Sequence, residues 1–320
     1  MLTLGLPSKG RLKEATEKYF RNIGLPISNS GGERDYSGKL NGIDDVQIYF
    51  LQASEIAHRL GDGSLDLGVT GYDLLAENQI LEQTYILKKL DFGHADLVFT
   101  VPESWIDVQS VSDLDDIMFF FRRNHNMRFR IATKYINLTT QFLRKHKITN
   151  YRIIQSQGAT EGAPAAGVAE AVVDITSSGA TLRDNHLKII PQGLILQSQA
   201  VLTACLKRPI ARENLDSIRR ILDFIHAYDT ASDHKVIHGA FSPGMRDDIL
   251  NCMIQYKSQD IHLTEAGFSA LIHSNKLYRF CEALRATGVH LITVSECKHI
   301  FQANHTVYEN FLGRMNKIAN

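Results

Sequence analysis

Short apolar runs rich in β-branched residues alternate along this chain with stretches whose apolar positions recur every three to four residues, the alternation of α/β layers. LTLGLP (2–7) predicts a first strand. In GRLKEATEKYFRNIGL, Leu12, Ala15, Tyr19, Phe20 and Ile23 fall near one helical face, and Gly24 with Pro26 supplies the stop. DVQIYFLQ (45–52) predicts a long strand, ASEIAHRLGDG (53–63) a helix closed by glycines, and SLDLGVTGYDLLAENQ (64–79) a strand, a Thr-Gly turn and a helix start.

DLVFTVP (96–102) then reads as a strand leaving this first unit, and RIATKYINLTTQFLRKH (130–146) as a strand turning into a helix. YRIIQSQ and VVDITSSGATLRDN add two strands, and GLILQSQAVLTACL (193–206) reads as a strand re-entering the first unit. The pattern predicts largely parallel sheets in two lobes, residues 1–97 with 191–230 and residues 98–190, with a cleft between them. ENLDSIRRILDFIHAYDT is an amphipathic helix, and TASDH (230–234) is the candidate linker. Beyond it, KVIHGAFSP, GMRDDILNCMIQYK, GFSALIHS, NKLYRFCEALRATG and VHLITVSECKHIF alternate strand and helix, predicting a small α+β domain over residues 233–320.

Composition narrows the function classes. Thirty-five basic and 35 acidic side chains cancel, so no global field favours nucleic acid or an anionic membrane, and any anion site is local. No stretch approaches the length of a membrane span or the apolar core of a signal peptide, which predicts a cytoplasmic protein. The four cysteines are far apart and predict free, buried thiols; His299 near Cys297 lacks further ligands for a metal cluster.

The main chemical signal is DITSSGAT, Asp174 to Thr181. A β-branched strand ends at Asp174, small and hydroxylated residues follow, and the helical pattern resumes near Leu182. Small side chains let the backbone approach an oxyanion, successive N–H groups can form a nest, and Thr176, Ser177, Ser178 and Thr181 add hydroxyls beside Gly179 and Ala180. That combination suits a phosphate monoester, with Asp174 placed for ribose hydroxyls. A tight turn in which Ser178 or Thr181 only caps the next helix accounts for the same residues. Phosphoribosyltransferases in general place an acid and Thr-Gly-x-Thr here; one acid and Ser178 instead point away from the commonest base-salvage enzymes. Lys9, Gly10 and Arg11 in PSKGRLKEA offer pyrophosphate a point charge and a fork. Thr70, Gly71 and Asp73 in LDLGVTGYDLL, and Lys134 with Tyr135 in IATKY, mark two further strand ends. Solvated turns explain each of these singly, four together less well.

Taken in order, PSKGRLKEA, LDLGVTGYDLL, FGHADLV, IATKYINLT, GATEGAP and VVDITSSGATLRDNHLKII resemble the ATP phosphoribosyltransferase family, over roughly Leu2 to Leu206. The resemblance implies an α/β fold with a two-lobed, periplasmic-binding-protein-like catalytic core. ATP and phosphoribosyl pyrophosphate would lie in its cleft, with Mg2+ bridged by substrate phosphates rather than held by protein ligands. It implies that Asp174 and Thr176 to Thr181 hold the ribose 5-phosphate, that Glu161 lies near the ribose, and that Lys9 and Arg11 meet pyrophosphate or ATP phosphates. Gly71, Asp73, Lys134 and Tyr135 would line the ATP and pyrophosphate side. Many relatives have Arg where this chain has Gln52, so that phosphate contact is absent or supplied by Arg34 or Arg59. GFSALIHSNKLYRFCEALRATGVHLITVSECKHIF is similar to the C-terminal regulatory domain of the family's long form, a ferredoxin-like or ACT-like unit. Histidine inhibition, a homo-oligomer (hexamer or dimer) and a separate regulatory subunit as possible partner follow as expectations. A non-catalytic solute-binding protein and a base-salvage phosphoribosyltransferase are the rival readings.

Overall fold

In the computed structural model, residues 1–29, 37–156, 158–242, 244–303 and 306–319 are described. The chain begins with β1 (Leu2–Pro7), α1 (Gly10–Asn22), β2 (Ile27–Asn29), β3 (Ser37–Leu40), β4 (Ile43–Leu51), α2 (Ala53–Asp62), β5 (Leu67–Gly71), α3 (Tyr72–Glu77) and β6 (Thr84–Lys89). It crosses into β7 (Ala95–Pro102), α4 (Val111–His125), β8 (Phe129–Thr133), α5 (Ile136–Lys145), β9 (Tyr151–Gln155), β10 (Ala171–Thr176), α6 (Ala180–Asp184) and β11 (Leu187–Ser198). It returns through β12 (Ala200–Cys205) and α7 (Arg212–Asp233). The remainder is β13 (His234–Ala240), α8 (Arg246–Gln255), β14 (Gln259–Leu263), β15 (Gly267–His273), α9 (Leu277–Ala286), β16 (Ile292–Ser295) and α10 (Thr306–Ala319).

Three sheets result, ordered β2-β3-β4-β1-β5-β12-β6, β11-β7-β10-β8-β9 and β14-β15-β13-β16. The first two are mixed rather than largely parallel. The centre of the first, β4-β1-β5, and one end of the second, β10-β8-β9, are parallel, while β7 and β12, which carry the chain between units, run antiparallel to their partners. A strand that brings the chain back must enter from the opposite end, so the crossing itself imposes the reversal. The return also comes later than residue 191: β11 is paired with β7 along Leu187 to Ser198, and the chain changes sheet only around Gln199.

The central strands β1, β5 and β12 of the first sheet are buried on both faces. Leu2, Leu4, Leu6, Leu67, Val69 and Leu202 face α1 and α7, with Phe20, Ile218, Ile221 and Ile225 among their neighbours. On the other face Gly5 and Gly68 let α2 lie close; a Cβ on Gly68 would come within 2.5 Å of Ile56 Cγ2. Fully burying each of these aliphatic side chains contributes roughly 1.5–3 kcal/mol. Val173 and Val172 of β10 similarly serve two cores in the second unit.

Asp66 stitches three segments of the first unit. Its carboxylate accepts from the Thr3 N–H (2.9 Å), the Thr3 hydroxyl (2.8 Å) and Arg208 Nη2 (2.8 Å), with its side chain 3% exposed and that of Arg208 50%. Most of the value therefore lies in the buried Thr3 bonds rather than in the half-exposed ion pair. Asp66→Ala is expected to lower unfolding free energy by about 2–3 kcal/mol in urea titrations while leaving substrate KM values unchanged.

TASDH is not a linker. α7 continues through Asp233 and passes directly into β13, because Ala227, Thr230 and Ala231 extend its buried face. In the third unit the order β13-α8-β14-β15-α9-β16 with antiparallel pairing is a ferredoxin-like βαββαβ arrangement. The boundary expected at 233–320 is too generous. α10 leaves this unit, and its Phe311 and Met315 join the core of the first sheet. No helix among the described residues is long and apolar enough to cross a membrane.

Candidate active site

β1, β4 and β5 end at Pro7, Leu51 and Gly71, and these residues share the lining of a cavity of about 800 Å³ with Lys134, Ile175 and Ser177 of the second unit. Carboxyl ends of parallel strands are where open α/β sheets gather ligands, since the turns there expose backbone N–H groups. Gly10, at φ +71°, lets the chain turn at once from β1 into α1. Lys9 and Arg11 flank it, exposed and lining the cavity, with no acidic residue in the first turn to neutralise them.

Gln52 stands at the start of α2 on the same cavity. Arg59 does not replace the family arginine at that position: its guanidinium lies 2.7 Å from Glu55 one turn back, and it is not part of the lining. Arg34 falls outside the described residues.

On the second unit, β10 runs two residues beyond Asp174, because Asp174, Ile175 and Thr176 remain paired with Val98, Leu97 and Asp96 of β7. α6 starts at Ala180, so the expected turn contracts to residues 177–179. The Thr176 hydroxyl accepts the Gly179 N–H (2.8 Å), and Gly179 takes φ +72°. Arg183, unremarked in the sequence, donates to the Ser178 carbonyl (3.2 Å). Ser177, Ser178, Ala180 and Thr181 are exposed, and Ser177 reaches the cavity. Asp174 Oδ1 lies 3.4 Å from Lys134 Nζ, their side chains 16% and 45% exposed. Lys134 Nζ also sits 5.2 Å over the Tyr135 ring.

Asp73 and Tyr135 border the cavity but are engaged within the protein. Asp73 is 6% exposed and Tyr135 1%, and the Tyr135 hydroxyl donates to Asp73 Oδ2 at 2.6 Å. Burial and then the Asp73 charge hold the phenol far above its ordinary range, so it stays a protonated donor. Within the protein the two groups are bonded to each other and, through Asp73 Oδ1, to the Ser198 hydroxyl. Glu161 sits on a short turn, Thr160–Gly162, outside the lining; buried Thr160 donates to Ser156 Oγ (3.0 Å) and fixes that turn instead. His94 does line the cavity, and also a second one of about 650 Å³ at the strand crossing. Its place in FGHADLV, at the first crossing between units, was the available signal.

Glu77 of α3 joins the units a second way, accepting the N–H groups of Asn137 (2.8 Å) and Leu138 (3.0 Å) at the start of α5. Burial raises its pKa, opposed by those backbone donors.

A family model described as ATP phosphoribosyltransferase matches residues 52–226. An ATP phosphoribosyltransferase of Bradyrhizobium diazoefficiens is 40% identical over 97% of this chain and 98% of its own. One from Mesorhizobium japonicum is 53% identical over 65% of this chain and 90% of its own. Among solved structures, the ATP phosphoribosyl transferase (HisG:HisZ) complex from Thermotoga maritima shares the fold at TM-score 0.53. The identity there is 22%, covering 70% of this chain and 95% of that one. With the strand-end cavity, its cations and relatives of this identity over nearly full length, the chain belongs to the ATP phosphoribosyltransferase family.

Proposed function

We propose that the cavity joins ATP to phosphoribosyl pyrophosphate, giving N1-(5-phosphoribosyl)-ATP and pyrophosphate in the first committed step of histidine biosynthesis in the cytoplasm. The carrying observation is the charge across the cleft: Lys9 and Arg11 line it from the first unit, Lys134 and Ser177 from the second, with Asp174 beside Lys134. Both substrates are polyanions, and a cavity with Lys9 and Arg11 on one wall and Lys134, paired with Asp174, on the other matches them.

In this reading the loop from Thr176 to Thr181 receives the 5-phosphate on backbone N–H groups and on the exposed hydroxyls of Ser177, Ser178 and Thr181. Asp174 accepts from the ribose hydroxyls, and Glu161, in the segment beside β10, approaches the sugar from outside the cavity. Lys9 and Arg11 hold pyrophosphate, and the backbone of Gly71 borders the nucleotide. Ring nitrogen 1 of adenine brings its own lone pair to the anomeric carbon and displaces pyrophosphate with inversion, so no activated side-chain nucleophile is needed. Rate comes from holding the two substrates in line and from cations that meet the charge on the departing group.

Among the described residues no cluster of three or more His, Cys, Asp or Glu could hold a metal ion. With Asp73 bonded to Tyr135 and Ser198 and Asp174 paired with Lys134, the carboxylates at the cleft fit Mg2+ that would arrive with the substrate phosphates rather than sit in a protein cage. Bound with them, the ion would supply charge neutralisation to the leaving group.

The ferredoxin-like third unit is the proposed seat of histidine inhibition. Exposed Leu291 and Val294, beside and on its edge strand β16, favour assembly into a homo-oligomer. Pyrophosphate release tests both readings. Turnover is expected with ATP plus phosphoribosyl pyrophosphate, none with free bases in place of ATP, and a fall with millimolar histidine. Turnover with free bases would reassign the chemistry, and indifference to histidine would leave the third unit an assembly role.

A further inference from the structure

We infer that Asp73 and Tyr135 form a clasp between the two units that positions Lys134 opposite Asp174, which makes them positioning residues for phosphoribosyl transfer. The inference rests on the proposed place of Lys134 and Asp174 in the substrate cleft.

A buried carboxylate is costly unless donors fill its lone pairs. Those of Asp73 come from separate parts of the fold. Oδ2 takes the Tyr135 hydroxyl of the second unit (2.6 Å); Oδ1 takes the Ser198 hydroxyl (2.6 Å), at the last residue of β11 before the chain changes sheet. The Asp73 N–H in turn donates to Ser198 Oγ (3.0 Å), so hydroxyl and carboxylate fix one another. First unit, second unit and crossing strand therefore meet at one charge.

Tyr135 carries that constraint to the cleft. Its ring is buried and its hydroxyl is tied to Asp73, which sets the ring plane. Lys134 is its chain neighbour, and the ammonium lies between that ring (5.2 Å) and Asp174 (3.4 Å). A lysine side chain is otherwise long and rotationally free. Here the ring face and the carboxylate bracket its charged end over the cavity. The Glu77 contacts at the start of α5 are independent of the tyrosine hydroxyl, so removing that oxygen leaves the helix anchored.

The test is a kinetic double-mutant cycle of Tyr135→Phe and Lys134→Ala, reading kcat and KM for phosphoribosyl pyrophosphate by pyrophosphate release. Tyr135→Phe keeps the ring and is expected to lower kcat/KM about tenfold. In the Lys134→Ala background it should change kcat/KM by less than about twofold, because the group it positions is gone. Ser198→Ala loosens the same carboxylate from the other side and should show the same dependence on background; its cycle decides the matter if Tyr135→Phe folds poorly. Equal fold-losses with and without Lys134 would show that the clasp serves the fold alone and overturn the inference. Full activity of Lys134→Ala would instead remove Lys134 from the cleft chemistry, a separate failure that takes the inference with it.

Discussion

Asp174→Ala is expected to lower kcat/KM by about 100-fold or more, with urea midpoint and near-ultraviolet circular dichroism close to those of the parent chain. The carboxylate stands after the three valine and alanine positions that bury β10, so the strand holds its place without it. Among the described residues it accepts from the neighbouring Ile175 N–H (2.8 Å) and pairs with the half-exposed Lys134. Its loss therefore weakens sugar binding and releases the ammonium, and disturbs little packing. Ser178→Tyr should do comparable damage by another route, filling the approach to the 177–179 turn, and should appear mainly in the KM for phosphoribosyl pyrophosphate. Near-normal turnover in both variants would displace the sugar-phosphate site from this loop.

The strand-end chemistry was legible because it is local. Lys9, Lys134 and Ser177 each follow a strand within a residue or two, Gly71 ends one and Arg11 lies in the first turn of the helix after one, and parallel pairing brings such ends to one edge. Partners distant in sequence were not legible. Asp73 and Tyr135 are separated by 62 positions, and no periodicity shows that a carboxylate at a helix start points inward to a phenol. The sequence also offered no sign that α10 belongs with the first core, since an amphipathic stripe tells which face is buried and not against what. β14 was missed for a different reason: QDIHL is short, polar and only partly buried, with Asp260 at φ +48° interrupting its register with β15. In α7, Thr230 read as a polar break, yet it is 9% exposed on the buried stripe, where a threonine methyl packs like an aliphatic group.

Gly71→Ala is the smallest substitution expected to disable the protein. The backbone at Gly71 is extended (φ −76°), so alanine meets no conformational strain there. Its Cβ would instead lie 2.3 Å from Asp73 Oδ1, which already receives the Ser198 hydroxyl. Moving the carboxylate away breaks the bond to Ser198 or to Tyr135, and moving the backbone shifts β5 against β1 and β12. Either route is expected to cost about 2–4 kcal/mol in unfolding free energy and, since Gly71 borders the cavity, most of the activity. The cause is separable from general crowding. Asp73→Ala takes away the clashing oxygen, so adding Gly71→Ala to it should cost less than about 1 kcal/mol further. Full additivity in that cycle, measured by urea unfolding, would place the damage in the sheet rather than at the carboxylate.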